Sequence, residues 1–132
     1  MTQLVFVPVT RDEAVALRDD GDLGVRAACA ATPDLARAVG ADAVAEEVEY
    51  AALSYAGELA RTLNGTGPAL VLAADVETSQ ITDQHSDRGE VRVRNLRWPQ
   101  VQSLFADDPA AGPDADGDDD LLWFGVEELD QL

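Results

Sequence analysis

The chain has 132 residues, 46% of them hydrophobic, enough material for one core on the usual scale of about 100 to 200 residues per domain, and this sets wholesale disorder aside. Against 26 acidic residues stand only nine basic ones, all arginine, and the net charge is −17. Such a surface repels bare phosphate backbone, so general DNA or RNA binding starts at a disadvantage that only a local basic patch overturns.

Leu4 to Val9 alternates around β-branched and aromatic side chains and predicts a strand, with Pro8 favouring a strand end or sheet edge. Thr10 followed by Glu13 is a capping box, which starts a short helix with Ala14 and Leu17 on its apolar face; Asp20-Gly21-Asp22 stops it. Val25 to Ala31 reads as a weak strand, and Thr32-Pro33-Asp34 opens a helix with proline at its first position. From about Asp42 to Leu63, Val44, Val48, Ala52, Tyr55, Leu59 and Leu63 recur every three or four residues and predict a long core helix, ended by Asn64-Gly65.

Ala69 to Val76 is apolar on both faces, as expected of a strand in the middle of a covered sheet. Thr78 to Gly89 is polar and turn-rich, and Glu90 to Leu96 alternates strictly, with Val91 and Val93 facing in and Arg92 and Arg94 facing out. Trp98-Pro99 predicts the start of a third helix carrying Val101, Leu104 and Phe105 on its stripe. Residues 109–120 hold only Pro, Ala, Gly and Asp, the composition of a flexible loop, and Leu121 to Val126, with Trp123 and Phe124, predicts a final strand inserted into the sheet. Strands and helices do not alternate as a doubly wound sheet requires. The expected fold is one α+β domain over residues 1–132: a mixed, largely antiparallel four- to five-stranded sheet with helices packed mainly on one face.

Four features bear on function. The acidic run Asp114 to Asp120 resembles a calcium loop, but placing Gly117 sixth puts Trp123 twelfth, and placing Asp114 first puts Gly125 twelfth, so the bidentate glutamate is missing in either register. No dedicated metal and no cofactor are expected. His85-Ser86-Asp87 has the residue types of a hydrolytic triad, yet neighbours in one loop do not converge on one substrate atom. Glu46 and Glu49 share a helix face, and Asp75 sits late in the apolar strand, where site residues are commonly found. Arg88, Arg92, Arg94 and Arg97 concentrate four of the nine basic residues in ten positions. They either pair with acids across the sheet, bind an anionic ligand or partner, or are screened by the acidic loop folding back.

Val7-Pro8-Val9-Thr10, Thr32-Pro33, the stretch Glu47 to Leu53, Val71 to Val76, and Leu121 to Phe124 followed by Glu127-Glu128-Leu129 together resemble a family of small acidic proteins of high-GC actinobacteria, a domain of unknown function. The resemblance spans nearly the whole chain and implies a bacterial cytoplasmic protein of no known activity, with no functional residues to carry over. Single Cys29, the lack of a basic residue ahead of an apolar N-terminal core, and a longest apolar run of only Pro68 to Ala74 agree with a reducing cytoplasm and no membrane insertion.

The function expected first is a non-enzymatic interaction or regulatory module. Its partner, a protein or a second copy, would see either the arginine face, with Arg92, Arg94 and Arg97, or apolar surface near Trp98 and Trp123. The alternatives are a small-molecule-binding domain or small enzyme using Asp75, Glu49 or His85 in a cleft, and an anionic mimic of nucleic acid.

Overall fold

The computed structural model describes residues 2–21, 24–40, 42, 44–64, 69–82, 88–106 and 122–131. Seven strands form one sheet: β1 (Thr2–Pro8), β2 (Val25–Ala30), β3 (Leu70–Glu77), β4 (Ile81–Thr82), β5 (Glu90–Arg94), β6 (Val101–Ala106) and β7 (Leu122–Phe124). Their order is β4-β5-β2-β1-β3-β6-β7, and every pairing is antiparallel. The α+β class expected from the sequence holds, whereas the expected mixed, largely antiparallel sheet of four to five strands has, among the described residues, seven strands with every pairing antiparallel.

Three helices join them: α1 (Arg11–Asp20), α2 (Pro33–Val39) and α3 (Ala45–Asn64). Local chemistry sets their ends. Thr10 and Glu13 complete the capping box of α1, and Gly21, at φ 90°, closes it in the left-handed conformation. Thr32 accepts from the Leu35 backbone N–H at the start of α2, with Pro33 at its first position. Among the described residues, no helix is long and apolar enough to cross a membrane.

The helices divide between the faces. On one face α2 and α3 lie over Phe6, Cys29, Val71 and Ala73; on the other, α1 and two 3-10 turns, Trp98–Gln100 and Val126–Gln131, border Val5, Val7, Leu72, Val93 and Leu104. The buried stripe of α3 is Val48, Ala52, Ala56 and Ala60, while Val44 at its start is 57% exposed and Leu63 is exposed too. The expected series holds at Val48 and Ala52, with Tyr55 and Leu59 partly buried against the same cluster, and fails at its ends, Val44 and Leu63. Small side chains one turn apart let this helix lie close to the strands.

Thr78–Gln80 is a 3-10 turn of three residues linking β3 to β4, although β1, β2 and β5 lie between these strands in the sheet. In a flat sheet they would stand roughly 19 Å apart, beyond the roughly 14 Å that this link can span. The sheet must curl, and Val91 and Val93 of β5 join one cluster with Val101 and Leu104 of β6. The corner is held by amides. The Gln80 side chain donates to the carbonyls of Arg94 and Asn95 at 3.0 and 3.1 Å, and Gln100 Nε2 donates to Gln80 Oε1 at 2.8 Å. Beside β2, Gly89 (φ 74°) has no room for a side chain: a Cβ there would stand 2.3 Å from the Ala30 carbonyl oxygen.

Two further expectations are corrected. Trp98 opens only a 3-10 turn, and Val101, Leu104 and Phe105 belong to strand β6. Buried or half-buried residues fall on both sides of this strand, Leu104 and Ala106 on one and Ser103 and Phe105 on the other, so its apolar spacing carries no helical meaning. The final strand joins the sheet as expected but as its edge rather than covered on both sides, and Trp123 on it is 63% exposed. The loop at 109–120, the acidic run 114–120 and the triplet at 85–87 lie outside the described residues.

Candidate functional site

Strand register decides which of the singled-out residues meet. Asp75 of β3 stands opposite Leu4 of β1, and Ala73 lies opposite both Phe6 and Ser103; these residues share the face under α3. Between Ala73 and Ala74 the β6 register slips by one residue, leaving Gln102 as the extra residue, and both Gln102 and Ser103 reach the same hollow. Above, α3 packs mainly on β1, β2 and β3, so the sheet emerges from under it at β6 and β7.

The result is an open groove of about 490 Å³ between the first half of α3 and β1, β3 and β6. Leu4, Phe6, Ala73 and Phe105 make its apolar floor and Leu53 of α3 its apolar roof, with the Phe6 and Phe105 rings edge to face at 6.3 Å. Glu46, Glu49 and Asp75 supply carboxylates, and Tyr50, 56% exposed, stands among them. None of the three carboxylates makes a hydrogen bond or ion pair among the described residues. Ser103 is buried at the groove wall. Trp123 lies opposite Phe105 in the β6–β7 ladder and extends the same face to the sheet edge.

The arginines lie elsewhere. Arg92 and Arg94 are exposed on β5, opposite Ala27 and Val25, and β2 and β1 separate them from Asp75 on β3. Thr82 of β4 faces Arg92 from the other side of β5. The Arg94 guanidinium donates to the Ser79 carbonyl at 3.2 Å, Arg88 stacks over the Tyr55 ring of α3 at 5.6 Å, and Arg97 is exposed, its backbone N–H donating to Gln100 Oε1. Trp98 is half-buried against the core and offers little docking surface.

Two of the three acid–base candidates, Asp75 and Glu49, therefore converge, while His85 lies outside the described residues. Among those residues, no group of three His, Cys, Asp or Glu side chains is arranged to hold a metal ion. Phe6, Leu53, Phe105 and Ser103 were not singled out from sequence, because Phe105 reads there as helical and nothing in the spacing announces which strands border one another.

A family profile matches residues 4–132, nearly the entire chain. The chain belongs to DUF6912, a family of unknown function. No match is found for this DUF6912 chain among curated proteins or solved structures.

Proposed function

We propose that this protein is a non-enzymatic protein-interaction module whose partner docks on the helix-side face where the sheet runs out beyond α3. The observation that carries this reading is the continuity of the open groove with exposed aromatic surface: Tyr50 at its rim, Phe105 in its floor and Trp123 beyond it. Exposed, contiguous apolar surface rimmed by polar groups is characteristic of interaction sites. Cytoplasmic residence agrees with this reading, since the single Cys29 is buried and unbridged.

The test is capture from host lysate at low and moderate salt, comparing the native protein with Trp123→Ser and with Arg92→Ser/Arg94→Ser. A recurring protein lost with Trp123→Ser but kept by the arginine variant supports docking at the groove face. Loss with the arginine variant alone would move the partner to the β5 face. The presence of Asp75 and Glu49 in one groove favours a second reading, a small-molecule site, for which a retained metabolite without a protein partner is the mark. A phosphate mimic has less support, because exposed acids occur on α1 over one face (Asp12, Asp19, Asp20) and on α3 and β3 over the other (Glu46, Glu47, Asp75).

A further inference from the structure

Resting on that docking surface, we infer that the groove accepts the cationic side chain of an arginine or lysine carried by a basic, apolar-interrupted segment of a partner protein. Three observations converge on this chemistry. Glu46 and Glu49 lie three residues apart on α3, like charges that repel at that spacing, and Asp75 lines the same groove. No cation of the described chain answers them. The rest of the lining is largely carbon, with the Phe6 and Phe105 rings on the sheet side and the Leu53 methyl groups on α3.

A side chain with an apolar stem and a charged head matches both parts: its methylenes lie along the carbon lining and its head reaches the carboxylates. Tyr50 adds a ring face for a guanidinium. Continuity with Trp123 argues for a segment rather than a free polyamine, because the apolar surface runs past the carboxylates to the sheet edge. Charge argues against a second copy, since each copy carries −17.

The experiment is fluorescence anisotropy of a labelled peptide alternating arginine and leucine, with the same peptide carrying glutamine for arginine as a reference. Glu49→Gln/Asp75→Asn is expected to weaken binding of the arginine peptide at least about fivefold at low salt. Asp12→Asn/Asp20→Asn removes the same charge from α1 on the opposite face and is expected to change it by less than about twofold. Melting curves of both variants check that each is folded.

Equal losses in the two double variants would reduce the effect to bulk charge and overturn the inference. Spermidine displacing the peptide at equal concentration would overturn it in favour of a small polycation, and self-association abolished by Arg92→Ser/Arg94→Ser would overturn it in favour of a second copy. Capture of a partner that depends on Trp123 but not on Glu49 and Asp75 would leave the docking surface standing and reject the cationic anchor. Independence from all three residues would reject both.

Discussion

Cys29 and Glu13 show how far burial and partners set the chemistry of single groups. Cys29 is fully buried under the helices, and burial, joined by the nearby Glu90 and Glu58 carboxylates, pushes its thiol up to about 12. At neutral pH the thiolate is scarce and inaccessible. A maleimide is therefore expected to leave the folded protein unlabelled over hours and to react within minutes in denaturant; fast labelling of the native protein would contradict this burial. Glu13 is different. Its partial burial raises the carboxyl, but the Arg26 guanidinium and the Thr10 donors outweigh it and hold the group below its ordinary value of 4.5.

Arg26 bridges Glu13 of α1 to the Pro8 carbonyl of β1, the latter at 3.1 Å, so this carboxylate ties a helix to two strands. Because the folded state favours the charged form, its contribution is complete above about pH 4.5 and fades as pH falls through the lower folded value. Glu13→Gln should cost about 1 to 2 kcal/mol at pH 7 and progressively less below pH 4.5. Denaturant melts of the two proteins across that range check the sign.

Among the elements, α3 depends on small side chains where it meets the sheet. Ala56→Leu inserts bulk into the close approach over Phe6 and Val71 and is expected to destabilise by about 1 to 3 kcal/mol, read as a lower denaturant midpoint. Elements specified by local chemistry were legible from sequence: the capping box of α1, the proline-led start of α2, and the alternation of β5, whose arginines face out as expected. Elements specified by distant neighbours were not. β4 is two residues long and exists through its pairing with Val93 and Arg92, and β6 is a strand because β3 and β7 flank it. The candidate site divides in the same way. Asp75 and Glu49 were visible as a strand-end acid and a helix acid, but their meeting depends on where α3 crosses the sheet.

For the whole molecule, a net charge of −17 works against compactness, because the described acids lie over both faces of the sheet. Raising sodium chloride from about 0.05 to 1 M shortens the screening length from over 10 Å to about 3 Å and should raise the melting temperature by roughly 3 to 8 °C. A flat response would show that local pairs such as Arg26 with Glu13 already compensate the excess. The strand order carries a consequence for how the chain reaches this state. β2 lies between β1 and β5, and Val25 pairs with Arg94 across just over half the chain. During synthesis β1, α1 and β2 emerge long before β5 does, so β2 waits with one edge bare, and closure is slow because distant segments must find each other. Mutual repulsion between acidic nascent chains then protects that waiting edge from its neighbours on the same message.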